Sequence, residues 1–265
     1  MSKCFQCAHE YTLDTDIFEP ELYGTDYYEI THRRWFANPQ ISLFKKIATG
    51  LLQLNTSIFD GSDTRILDIG CGRCSLLSYL ASVFRHSSFV GIDTSVNHVT
   101  GLDSRISLID SVFSPQALQG KFDIVLSTAV IEHVFDVRQF LADQISLLKD
   151  SRLSLLVVVT MDSNSPIYVL ARLLRQFGFS LAYDRLFSAH HVNHFSRESL
   201  HRLCKSLDLE IVKEDGVNIE LAALDLPSSR FIPRSFLELL TSWIFCFGTL
   251  VRRPFLQILF LRPRT

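Results

Sequence analysis

The sequence predicts an α/β protein built on a mostly parallel sheet with crossover helices, and three observations carry that expectation. From residue 63 onward, short β-branched runs alternate with helical patterns, as parallel strands joined by helices require. The first of these runs ends in a glycine turn, Asp68-Ile69-Gly70-Cys71-Gly72. The run at residues 153–160 is apolar nearly throughout, which suits a strand buried on both faces.

The elements follow in order. Residues 66–69 read as the first strand and 75–84 as a helix, because Leu76, Leu77, Leu80, Val83 and Phe84 fall on one face at helical spacing. Further strands are expected at 88–93, 106–110, 122–127 and 153–160, with a helix over 136–149. Residues 162–195 break the alternation with one helix at 168–177 and a loop rich in histidine and aromatics, so they read as a lid inserted over one edge of the sheet. Ser196 is placed to cap the helix that follows. Strands at 209–213 and 256–261 bring the total to seven. The organisation is an aromatic-rich leader over 1–62, then a single domain over 63–265 that carries the lid.

Composition narrows the function. With 47% hydrophobic and 20% charged residues among 265, the chain suits one large globular domain. A formal net charge of -2 gives no basic footprint, which disfavours a nucleic-acid partner. The opening MSKCFQCAHEYTLDTD has neither the basic nor the apolar region of an export signal, so the expected location is cytoplasmic. Six scattered cysteines do not form a disulfide framework. Cys4 and Cys7 with His9 invite a zinc reading, but no second pair completes four ligands, and ordinary thiols are the better reading.

The most specific constellation is the glycine turn together with Asp93, which closes the next strand 21 residues after Gly72. Glycines at a strand-to-helix turn let backbone approach a ligand, and an acid after the second strand can accept both ribose hydroxyls. The pattern describes an adenosine site. A nicotinamide dinucleotide would want a third glycine where this chain has Ser75, and no acid at Asp68. Asp68 suits a cationic amino-acid group better than a pyrophosphate.

Ile66-Leu-Asp-Ile-Gly-Cys-Gly72, Val90-Gly-Ile-Asp93, Phe122-Asp-Ile-Val-Leu-Ser127, Val130-Ile-Glu-His-Val134 and His194-Phe-Ser-Arg-Glu-Ser-Leu200 together cover residues 65–217. This series resembles the small-molecule class I S-adenosylmethionine-dependent methyltransferases, the branch that includes ubiquinone-biosynthesis and sugar or natural-product enzymes. The resemblance implies a Rossmann-like class I methyltransferase fold, α/β, with a seven-stranded mostly parallel sheet, an antiparallel last strand and a helical lid. It further implies that Asp68, Gly70, Cys71 and Gly72 line the methionine end of the cofactor S-adenosylmethionine, and that Asp93 binds the ribose. Ile92 or Thr94 would border the adenine, Asp110 would bond its amino group beside Ser111, and Ser127 and Thr128 would lie under the methionine. The family's usual third loop glycine is Cys74 here.

His133 is the leading candidate base, since a histidine can deprotonate a hydroxyl as the methyl group moves; the alternative is a turn residue. His190, His191 and His194 read as metal ligands, as further acid/base or substrate-contacting candidates, or, most commonly for such a cluster, as a polar loop that caps the next helix. In the ubiquinone-biosynthesis enzymes that the chain resembles, a further upstream acid joins the pair at Glu132 and His133 in metal binding; the resemblance sets Ala129 in its place, so no metal is carried over. The aromatic stretch 23–29 reads first as packing, while the resemblance implies that a leader tyrosine, Tyr23, Tyr27 or Tyr28, can close over the cofactor, where a sulfonium would gain cation–π attraction, with Tyr28 also a substrate contact. The apolar stretch 236–251 reads first as the helix joining the last two strands, packed in the core. Its aromatics and the following Arg252 and Arg253 give a second reading, peripheral membrane contact. The function expected is methylation of a small-molecule acceptor, chiefly at oxygen; the alternatives are a catalytically degenerate cofactor-binding protein and a nicotinamide-dependent reductase.

Overall fold

The computed structural model describes residues 2–4, 9–12, 33–54, 63–150, 152–187, 191–224, 226 and 233–264. In chain order its elements begin with β1 (Ser2–Lys3), β2 (Glu10–Tyr11), α1 (Arg33–Ala37), α2 (Ile41–Leu54), β3 (Arg65–Ile69), α3 (Ser75–Val83) and β4 (Ser88–Asp93). There follow β5 (Ile106–Asp110), β6 (Ile124–Thr128), α4 (Val137–Ser146), β7 (Leu155–Met161), α5 (Pro166–Gln176) and α6 (Leu181–Leu186). The series ends with β8 (Asn193–His194), α7 (Arg197–Ser206), β9 (Leu209–Val217), α8 (Arg234–Leu250) and β10 (Leu256–Pro263). The chain divides into two compact units, one made of Phe44–Thr160, His201–Asp215 and Ile258–Thr265, the other of Met1–Leu43, Met161–Leu200 and Gly216–Gln257.

The first unit is organised by a seven-stranded sheet in the order β5-β4-β3-β6-β7-β10-β9. Strands β3 to β7 pair in parallel, and β10 runs antiparallel to β7. All of β3 from Ile66 to Ile69 is buried, as is β7 from Leu155 to Thr160. Burial on both faces explains why these strands lack polar alternation. Helix α3 buries Leu76, Leu77, Leu80 and Ala81, and Phe84 is buried at its end, but Val83, expected on the same face, is exposed. The chain steps outward from β3 to β5, then returns to the other side of β3 to form β6. In open α/β sheets, ligands bind beyond the carboxyl ends of the strands at such a switch point.

Helix α2 precedes the first strand of the sheet and had no place in the leader read from sequence. Lys46 pairs with Asp215 at 2.6 Å, and Arg262 Nη2 donates to the Leu54 carbonyl. A Cβ at Gly50 would stand 2.1 Å from the Phe260 ring, so glycine here sets how closely α2 approaches β10.

The second unit holds a three-stranded sheet, β1-β2-β8, with Glu10 opposite His194 and Tyr11 opposite Asn193. The lid segment contains two helices and a strand where a single helix was expected. Helix α8 departs most from expectation. Its buried side is a narrow stripe, Thr241, Phe245 and Gly248, at helical spacing. Phe245 lies 6.0 Å from the Phe255 ring, and Gly248 admits Pro166 of α5. The segment is the helix that joins the last two strands, as expected, but it is packed only along that stripe, and most of its large apolar side chains project away from it into solvent.

Candidate functional site

The glycine turn is shaped by the strands beneath it. Gly70 takes φ +69°, and a Cβ there would collide with Val130 at 2.4 Å, so glycine is needed on both counts. Gly70 and Cys71 donate their N–H groups to the Ile92 carbonyl at 2.8 and 3.3 Å, tying the turn to β4. Gly91 in turn leaves room for the Cys71 sulfur, which would lie 2.7 Å from a Cβ at that position.

Cys74 caps α3 in the left-handed region, with φ 60° and ψ 23°. Its side chain is fully buried and folds under the turn, with its sulfur 3.7 Å from Cys71 Sγ and 3.8 Å from the Gly72 carbonyl. The residue in the family's glycine position thus keeps the glycine backbone conformation and directs its thiol inward. The neighbouring Cys74 thiol and burial both push the Cys71 thiol up, which keeps it protonated.

Asp93 is a link as well as a candidate ligand. Its Oδ2 accepts from Gly72 N at 2.9 Å, and its Oδ1 accepts from Ser95 N and Oγ at 3.0 and 2.9 Å. The carboxylate therefore fixes the glycine turn and the turn after β4 at the same time. Ser95 was missed in the sequence reading, although an Asp-x-Ser turn is a familiar source of such bonds. Thr94 is exposed, Ile92 is buried in the core, and Asp110 faces Asp93 in the parallel register of β4 and β5. Ser111 N donates to the Asp93 carbonyl at 3.2 Å, and the Val112 beyond it is 65% exposed.

At the ends of β3 and β6 lies a set of buried polar atoms without hydrogen-bond partners: Asp68 Oδ1, Ser127 Oγ, Thr128 Oγ1 and Glu132 Oε1. Buried polar groups are normally paired, so each such atom asks for a ligand or another cause. Asp68 is 2% exposed. Burial, and then the charge of Asp93, push its carboxyl up to about 8. A cationic donor would satisfy Oδ1 and draw the proton off, which fits the ammonium of an amino-acid cofactor.

After β6 the backbone turns through Ala129 at φ 55°, then through a 3-10 turn that holds Glu132 and His133. Glu132 points inward, where Thr160 Oγ1 donates to its Oε2 at 2.8 Å and burial raises its carboxyl to about 7. His133 is half-buried, and its N–H bonds the Val130 carbonyl at 2.9 Å. Glu132 is a buried member of this turn that the sequence reading passed over in favour of its neighbour.

The lid histidines lie in the second unit and form a network of their own. Thr12 Oγ1 stands 3.2 Å from His194 Nε2 and donates to the His191 carbonyl at 3.0 Å, while His191 Nδ1 meets the Leu186 carbonyl at 3.2 Å. Burial first, then the charges of His191 and Arg172, lower the His194 ring to about 3, so it stays neutral. His9 Nε2 bonds Asn193 Oδ1 at 2.9 Å. His190, Cys7, Tyr23, Tyr27 and Tyr28 lie outside the described residues. Among the described residues, no group of three His, Cys, Asp or Glu side chains is placed to hold a metal ion.

A seven-stranded sheet whose last strand is antiparallel, with a glycine turn after its first strand, is the class I methyltransferase architecture. A sequence profile for the methyltransferase domain matches residues 40–214, well over half of the chain, and the chain belongs to that family. It is 29% identical over 114 residues to the ubiquinone biosynthesis O-methyltransferase of Pelagibacter ubique (strain HTCC1062), covering 40% of this chain and 46% of that protein. The protein of the same description from Chelativorans sp. (strain BNC1) is 35% identical over 103 residues, covering 36% of this chain and 40% of its own. The chain thus spans less than half the length of these curated relatives. Among solved structures, the plantazolicin methyltransferase BpumL in complex with SAH shares the fold at a TM-score of 0.59 and 19% identity, covering 92% of both chains. Magnesium protoporphyrin IX methyltransferase from Synechocystis PCC 6803 shares it at a TM-score of 0.54 and 14% identity, covering 90% of this chain and 97% of its own.

Proposed function

We propose that this chain transfers a methyl group from S-adenosylmethionine to a small-molecule acceptor, chiefly at oxygen. The observation that carries the proposal is the buried Asp68 carboxylate with its unpartnered Oδ1, set at the carboxyl end of the central strand beside the glycine turn. Asp68 would hold the cofactor's ammonium, with Ser127 and Thr128 supplying further polar contacts from β6. Asp93 would meet the ribose while keeping Gly72 in place, and Asp110 and Ser111 would border the adenine, with Thr94 and the exposed Val112 as its polar and apolar edges. When bound, the cofactor supplies an electrophilic methyl group on a sulfonium.

Methyl transfer from a sulfonium depends chiefly on alignment, so the rigidity of the turn matters more than any single base. Where a hydroxyl must lose its proton, His133 is the candidate, since its neighbour Glu132 is turned inward to Thr160 and burial makes the His194 ring a weak base. The relatives described as O-methyltransferases favour an oxygen acceptor. A cytoplasmic location, with peripheral membrane contact through residues 236–251, suits the free Cys71 and Cys74 thiols and the exposed apolar face of α8.

Calorimetric titration with S-adenosylmethionine and S-adenosylhomocysteine tests the proposal directly. Both should bind, and absence of binding at about tens of micromolar, far weaker than a working cofactor site, would remove the enzyme reading. A thermal shift with a nicotinamide dinucleotide instead would favour a reductase. His133→Gln should lower kcat roughly a hundredfold or more if the ring is the base, with cofactor affinity unchanged. His194→Gln should leave kcat near the parent value.

A further inference from the structure

Two features of the second unit have no part in methyl transfer. The first is the apolar face of α8. Phe236, Leu239, Trp243, Phe247 and Leu250 recur along one side over four turns and are 57%, 59%, 70%, 56% and 79% exposed. Contiguous exposed apolar surface of this kind marks an interaction site. Its neighbour α5 adds Val169 and Leu173, and Phe177 just past its end is 71% exposed. The second feature is a cleft of about 540 Å³ at the N-terminal end of α8, lined by Arg33, Arg34 and Arg234 together with Asn38 and Glu238. Glu238, the single acid of α8, accepts from Arg234 Nε at 2.7 Å, and Arg33 adds a further cation to the lining.

We infer that this face docks on an anionic phospholipid surface, with the α8 side chains in the headgroup and acyl boundary and the arginine cleft on a lipid phosphate. Charge decides the occupant. Arg172 of α5 pairs with Glu10, and Arg253 after α8 pairs with Asp162 and Glu198, which leaves Arg175 of α5 and Arg252 as the cations that edge the apolar face. An apolar helical face rimmed by arginine matches an interfacial helix on a negative leaflet, whereas a self-associating face would set the arginines of one copy against those of the other. No helix among the described residues is long and apolar enough to cross a membrane, so the contact is lateral. This inference rests on the peripheral-contact reading and adds to it the lipid charge and the residues that meet it.

The test is sedimentation of the full chain with vesicles of phosphatidylcholine alone, or of phosphatidylcholine mixed with phosphatidylglycerol. Binding is expected to the mixed vesicles, falling in high salt. Trp243→Ser with Leu250→Ser should weaken it roughly tenfold or more, as should Arg33→Glu with Arg34→Glu. With Trp35→Phe in place, Trp243 is the sole tryptophan, and its emission should shift to the blue on the mixed vesicles. Equal binding to both vesicles would keep the membrane contact and overturn the anionic headgroup. Binding to neither would overturn both. A dimer that the α8 substitutions dissolve, without vesicle binding, would assign the face to a second copy and overturn the proposal. None of these readouts uses the cofactor, so the methyltransferase reading stands or falls separately.

Discussion

At the carboxyl ends of β3 and β6, polar atoms are buried without partners, whereas along α8 large apolar side chains stand in solvent. The two regions depart from ordinary burial in opposite senses. Each leaves one kind of surface unsatisfied in the protein alone, and the kind states the chemistry of what would satisfy it. A buried carboxylate asks for a cation in a water-poor site, and an exposed aromatic row asks for an apolar medium.

The largest expected effect falls on the buried side. Asp68→Asn keeps the volume but removes the charge, and leaving a bound cation unpaired costs about 3–5 kcal/mol. Calorimetry should show affinity for S-adenosylmethionine and S-adenosylhomocysteine alike falling on the order of a hundredfold or more. Unchanged affinity would dissolve the contrast, since the orphan oxygen would then have no ligand. The two faces of α8 offer the next test. Phe245→Ala should lower stability in denaturant unfolding by about 3 kcal/mol, whereas Trp243→Ser should change it by less than about 0.5 kcal/mol. Equal losses would mean that the exposed row is packed.

Asp93→Ala should weaken cofactor binding about ten- to a hundredfold through lost charged hydrogen bonds. Because Asp93 also holds Gly72 and Ser95, part of that loss should appear as faster amide exchange at Gly72, and exchange unaltered there would make Asp93 a ligand alone.

The pH dependence follows from Asp68. Its carboxyl is raised from 3.8 to about 8 in the folded protein. The folded state therefore holds a proton that the unfolded state has lost, so this group's contribution to stability is fully present below its unfolded pKa and is lost as pH rises to about 8. Binding a cation needs the ionised form, so log affinity should rise with pH by up to about one unit per pH unit and level off above about 8. Asp68→Asn should abolish the slope, and a slope that persists in that variant would assign the proton elsewhere. The smallest effect is expected at Cys74→Gly. Relief of a left-handed residue, worth about 1 kcal/mol, offsets the loss of a small buried side chain, and titration should show affinity within about threefold of the parent.

Much of this was legible in the sequence. The glycine turn and the acid closing the second strand are local patterns, so Asp68, Gly70, Gly72 and Asp93 could be named by spacing alone. Glu132 could not, because its inward turn depends on Thr160, which is distant in sequence and near only in the fold. Helix α2 was hidden by the aromatic composition ahead of it, and its place became visible only with Gly50 against Phe260. The lid histidines looked alike as a cluster, yet burial and Thr12 set His194 apart.

By itself the sequence determined the alternation of strands and helices, the parallel sheet and the glycine loop, because hydrophobic period and turn chemistry act over a few neighbouring residues. Only the tertiary structure decided which polar atoms are orphaned and which apolar ones are exposed. Burial is a sum over contacts from remote segments, and the amphipathic pattern of α8 reads the same whether its wide face meets a core or water.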